Sequence, residues 1–171
     1  MENITRRLIL IASLSIMMLS AAGAESLEWR FQYVSNLIDN VPSPVIWFTE
    51  DEEGLLPWID EDELPEDGSG HVFHLHVESW GATGMSLSLT PLSSESGTVI
   101  PFTFSYDGET SSGTFEVRDE DAGARFSGWT DPLYVRTRRD WRLTLTPDGD
   151  ALDRAAGGSY RTTLTVEVSS V

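Results

Sequence analysis

From residue 71 onward, apolar and polar positions alternate along the chain in short runs. Phe73, Leu75 and Val77 share one parity in HVFHLHVESW, and Met85, Leu87 and Leu89 share one in GMSLSLTPL. Ile100, Phe102, Phe104 and Tyr106 repeat the pattern, followed by Phe115 and Val117. Phe126 faces Trp129 across a break at Gly128, and PLYVRTRRDWRLTLTP carries Leu133 and Val135, then Trp141, Leu143 and Leu145. The final run, GGSYRTTLTVEVSSV, sets Tyr160, Leu164, Val166 and Val168 on one parity with Thr162 between them. Successive side chains of a strand point to opposite faces, so this alternation predicts strands buried on one side. Turn residues separate the runs: Gly81 to Gly84, Ser93 to Gly97, Asp107-Gly108, Gly123, Pro147 to Gly149 and Gly157-Gly158. Short strands at this spacing predict an all-β fold, an immunoglobulin-like β-sandwich of mostly antiparallel strands. Short helical turns are compatible with it, and DALDRAAGG, residues 150–158, is the stretch that allows one.

The segment before residue 71 is patterned less simply. Leu27, Trp29, Phe31 and Tyr33 alternate as a strand does, while Leu27, Phe31, Val34, Ile38 and Val41 also fit a helical stripe. Aromatic residues at period two favour the strand over residues 27–34. VIWF, residues 45–48, predicts a second short strand. Residues 49–70 hold ten carboxylates, two prolines and three glycines, which predicts a solvated acidic loop. Leu55, Leu56, Trp58 and Ile59 are the residues that could pin it to the body.

The N-terminus changes the picture of where the protein works. Arg6 and Arg7 precede LILIASLSIMML, an apolar run of twelve residues, and SAAGA follows with Ala22 and Ala24 as a small-x-small signal. This is the pattern of a secretory signal peptide over residues 1–24, too short for a membrane span. Cleavage after Ala24 would remove 24 of the 171 residues and leave a single domain of 147, residues 25–171. The expected location is therefore the bacterial periplasm, the cell surface or the extracellular space, with no transmembrane segment after cleavage. The chain has no cysteine, which excludes thiol catalysis and cysteine-based metal sites and favours a bacterial exported protein. Of 11 basic and 28 acidic residues the leader takes Arg6, Arg7 and Glu2, so 9 and 27 remain, a net charge of −18. Such a surface repels nucleic acid and anionic lipid, and neither is an expected partner.

Candidate chemistry is sparse. His74 and His76 lie two apart on one strand face, and Glu78 continues that face, a set that could ligate zinc or copper. The simpler reading makes them the polar side of an amphipathic strand, as Ser86 and Ser88 are in the next one. Asp148, Asp150 and Asp153 lie close together, but no calcium-loop register is present, so only weak divalent-cation binding is compatible. There is no nucleophile-elbow motif, and acids are too abundant for any pair to be singled out, so no enzymatic activity and no cofactor are expected. Among six tryptophans, Trp141 and Trp29 share parity with core positions, while Trp58 and Trp80 lie near loops and are candidates for stacking on a ligand such as a sugar ring.

GGSYRTTLTVEV resembles the closing strand of bacterial pilin-like domains, including chaperone–usher fimbrial subunits and the spore coat protein U group. Gly158, Tyr160, Leu164, Val166 and Val168 fill the places of their Gly-x-Tyr opening and Leu-Thr-Val-x-Val run. WRLTLTPDGD is similar to the strand and turn before it, so the resemblance covers about the last thirty residues. It implies a sandwich lacking one strand that a neighbour's N-terminal extension completes. On that implication Leu27, Trp29, Phe31 and Tyr33 are strand-exchange candidates, and the protein is a fimbrial-like structural or adhesive surface subunit that forms homo-oligomers or joins other surface subunits. The same residues also read as this domain's own first strand. The chain departs from the family in having no cysteine pair and no near-terminal tyrosine. The competing role is an exported, non-enzymatic module that binds a glycan or a cation.

Overall fold

A computed structural model describes residues 6–12, 26–37, 44–49, 70–131 and 135–170. They form an all-β sandwich. In chain order the strands are β1 (Arg6–Ala12), β2 (Ser26–Leu37), β3 (Val45–Thr49), β4 (His71–Ser79), β5 (Ala82–Leu89), β6 (Leu92–Ser94), β7 (Val99–Ile100), β8 (Phe102–Gly108), β9 (Ser112–Val117), β10 (Ala122–Thr130), β11 (Thr137–Pro147) and β12 (Ser159–Ser170). One short helix, α1 (Gly149–Asp153), precedes the last strand. The first sheet runs β1-β2-β12-β5-β10, with β6 on β12 and β7 on β6; the second runs β3-β4-β11-β8-β9.

The one-sided alternation read from the sequence is the sandwich interior. Phe73, Leu75, Val77, Trp141, Leu143 and Leu145 from the second sheet are buried against Met85, Leu87, Leu89, Leu164, Val166 and Val168 from the first. Aromatic rings join the layers: Phe126 of β10 meets Trp141 of β11 edge-on at 5.7 Å and Tyr106 of β8 at 4.9 Å. Burying side chains of this size supplies roughly 1.5–3 kcal/mol each, the main favourable term of the fold.

Local departures have local causes. The run from Ile100 to Tyr106 is broken at Pro101, which has no N–H for a ladder, so β7 and β8 are separate strands on different sheets. Phe126 and Trp129 are three residues apart and should point to opposite faces. The register of β10 on β5 shifts between them, and this irregularity turns both rings inward. Before the shift, Gly123 lets β10 approach β5 closely, since a Cβ would lie 2.2 Å from the carbonyl oxygen of Leu87. Asp148 caps α1 by accepting the N–H of Ala151 at 2.9 Å. The expected strand through Val135 starts later: β11 begins at Thr137, and Val135 is 52% exposed. Thr49, expected to open the acidic loop, ends β3 and is fully buried.

Among the described residues, two strands precede β3. Residues 6–12, within the expected leader, form β1 at the edge of the first sheet, antiparallel to β2. Among the described residues, no helix is long and apolar enough to cross a membrane.

Candidate functional site

The first candidate is the edge that β2 and β12 share. They pair in parallel, the one parallel ladder among the described strands, over the positions Ser26–Asn36 and Ser159–Ser169. The register sets Leu27 beside Tyr160, Trp29 beside Thr162, Phe31 beside Leu164, and Tyr33 beside Val166. All four β12 residues are buried. The four strand-exchange candidates are thus aligned, within one chain, with the core-facing positions of the final strand. On its other side β12 meets β5 only from Leu164 to Ser170, and β6 only at Tyr160 and Arg161. The chain enters β12 through Gly158, whose φ of +137° suits a residue without a Cβ. Tyr160 fixes the entry by donating from its hydroxyl to the carbonyl of Ala156 at 3.0 Å.

The second candidate is the histidine face of β4. His74 and His76 lie opposite the core parity, yet both are buried. His76 has no exposed surface. Its Nδ1 lies 2.6 Å from Oδ1 of Asp140, and its Nε2 lies 2.6 Å from the hydroxyl of Thr49. Both ring nitrogens therefore have polar partners, and the tautomer decides which of them donates. Arg138 donates from Nε to Asp140 at 2.7 Å, and its Nη2 lies 2.9 Å from Nδ1 of His76. Trp47 of β3 stacks on the His76 ring at 5.2 Å, and the Arg138 guanidinium lies over Trp47 at 5.4 Å. Burial pushes the carboxyl of Asp140 upward, but the hydrogen bonds and charges of Arg138 and His76 outweigh that and hold it below its ordinary value.

Thr49, His76 and Asp140 therefore make a hydroxyl–imidazole–carboxylate array across β3, β4 and β11. Its exposure runs the wrong way for nucleophilic catalysis. The hydroxyl is sealed, while the carboxylate side chain is the open end, 46% exposed. The array instead bolts three strands together on the side away from the core.

The metal-ligand candidates are placed differently from one another. His74 and His76 stack at 6.4 Å, while Glu78 forms an ion pair with Arg136. Among the described residues, no group of three or more His, Asp and Glu side chains could hold a metal ion. Trp80 is half-buried, with the Arg136 guanidinium 5.7 Å from its ring centre. Trp58 lies outside the described residues, as does most of the acidic loop. Of the aspartates considered for weak cation binding, Asp148 is engaged in capping α1.

Two further polar sites were not foreseen. Arg139 holds the buried Asp131 through two bonds of 2.6 and 2.7 Å, and Trp129 donates to Ser79 at 3.1 Å beside them. His71 faces the core, and its Nε2 has no hydrogen-bond partner. Burial pushes its pKa below the ordinary 6.5.

Comparison with protein-family models, with curated proteins and with solved structures gives no match for this chain.

Proposed function

We propose that this chain is an exported structural or adhesive surface subunit, fimbrial-like in organisation, that uses its N-terminal strand as an exchangeable edge. The observation that supports this reading most is the register of β2 on β12. Leu27, Trp29, Phe31 and Tyr33 follow the buried positions of the last strand along a parallel ladder that no tight turn closes. Joining β2 to the sandwich takes backbone pairing and alternate side-chain positions, the two ingredients of strand addition in trans. A neighbour's residues 26–36 can make the same ladder. The leader pattern of residues 1–24 supplies the export on which a surface role depends.

The test is export in a bacterial host. The reading expects a secreted or envelope-associated protein that begins at Glu25 and runs as a ladder of oligomers, lost when residues 25–34 are deleted. A protein kept inside the cell with its leader intact, or an oligomer ladder that survives the deletion, would contradict it.

A ligand-binding role is the second reading. It is favoured by a depression on the outer face of the second sheet, lined by Ser105, Asp107, Ser112, Thr114, Arg142 and Thr144. Saturable binding of a glycan that weakens on Arg142→Ala would support it, and an unresponsive glycan screen would remove it.

A further inference from the structure

The outer edge of β2 is covered by a strand that leader cleavage would take away. β1 pairs with β2 at seven positions, from Arg6 with Leu37 to Ala12 with Phe31. All seven β1 residues precede Ala24, so a chain beginning at Glu25 carries Phe31–Leu37 as an open edge. A row of unpaired backbone N–H and C=O groups is a template for another strand, and proteins usually guard it with charge, proline or a bulge. This edge has none of these guards. Its sequence is FQYVSNL, without a charge, a glycine or a proline, in a chain of which 23% is charged.

We propose that leader removal opens this edge and that a second copy of the chain pairs there, antiparallel, about a two-fold axis through Val34. The inference rests on the export reading for the loss of β1, and not on strand exchange at β12. Several observations select a second copy. β1 already pairs in the antiparallel sense, so the edge accepts a strand running that way. The vacated stretch has seven residues, an odd number, so an isologous pair places Val34 opposite Val34. Phe31 then faces Leu37, Gln32 faces Asn36 and Tyr33 faces Ser35. No like charges meet across the axis, although the mature chain carries −18, so the neutral stretch is where two such acidic molecules can touch. In the precursor β1 is a placeholder, and dimerisation waits for the leader to be cut.

The cysteine-free chain makes a clean test. The exported protein, with its N-terminus read by mass spectrometry, is prepared as Val34→Cys and oxidised. The expected result is one covalent dimer, with no cross-link from Asp119→Cys on an exposed turn. Two charge variants guard against misfolding. Gln32 and Asn36 stand beside the half-buried polar positions Thr165 and Ser169, where charge is compatible with the fold. Gln32→Lys with Asn36→Lys puts like charges opposite each other and should weaken the dimer by roughly tenfold or more. Gln32→Lys with Asn36→Glu puts opposite charges there and should keep it. A correctly processed protein that is folded but gives no Val34→Cys dimer overturns the inference, as does equal dimerisation of the two charge variants. Oligomers without the Val34 cross-link would leave strand exchange standing alone, and a cross-linked dimer without strand exchange would do the reverse.

Discussion

Phe31 of β2 and Leu164 of β12 stand side by side in a parallel ladder, near the middle of the pairing that attaches the N-terminal strand to the sandwich. Leu164 also pairs with Leu89 of β5 on its other side. The final strand is therefore central only while β2 is in place. Without β2 its buried positions at Tyr160 and Thr162 would border an open edge.

The array on β4 gives the first prediction. Thr49→Val keeps the shape of the side chain and removes the hydroxyl that faces Nε2 of His76. A buried ring nitrogen is left unpaired, at a cost of about 1–3 kcal/mol. Urea denaturation should show a lower midpoint with an unchanged slope. Little or no loss would mean that the array does not brace the three strands.

His71 predicts an acid-sensitive limb of stability. Its folded pKa lies below the unfolded 6.5, so the unfolded chain binds the extra proton first. Stability should be flat with respect to this group above pH 6.5 and should fall as pH drops from 6.5 toward the lowered folded value. One proton sets the upper limit of that slope at about 1.4 kcal/mol per pH unit. His71→Leu should flatten this part of the curve, and an unaltered curve in the variant would refute the assignment. Asp140, held below its ordinary value of 3.8, contributes stability that is lost only as pH falls through its lowered folded pKa.

Arg139 predicts a larger effect. Arg139→Met leaves the buried Asp131 carboxylate without its two charged bonds, which costs about 3 kcal/mol. Adding Asp131→Leu should recover part of that loss, because the uncompensated charge goes with it. Thermal unfolding of the single and double variants measures both steps, and a double variant less stable than Arg139→Met would contradict the account.

How much of this was legible in the sequence depends on the distance over which a contact is made. Phe73, Leu75 and Val77 announced a strand buried on one side, because burial repeats with the same period as the strand itself. The closing run from Tyr160 to Val168 did the same. His74 and His76 were readable as the side away from the core, but not as buried. The cover of His76 comes from Trp47, Arg138 and Asp140, and the Asp140 contact spans 64 positions of chain, which no local pattern reports. Asp131 and Arg139 were invisible for a related reason. A buried ion pair has the same letters as a solvated one, and only the packing around Trp129 distinguishes them. The N-terminal alternation predicted a strand, and β2 is one; its parallel partner was not readable, since alternation fixes faces and not neighbours.

The central claim is that residues 26–36 form a strand that can be supplied from another chain. The most direct measurement is titration of the exported protein lacking residues 25–37 with a peptide of that sequence, followed by thermal unfolding and hydrogen exchange. The account predicts saturable binding, a rise in the unfolding temperature, and new protection along Tyr160 to Val168. A truncated protein that is folded and stable, and that neither binds the peptide nor gains protection on β12, would contradict it.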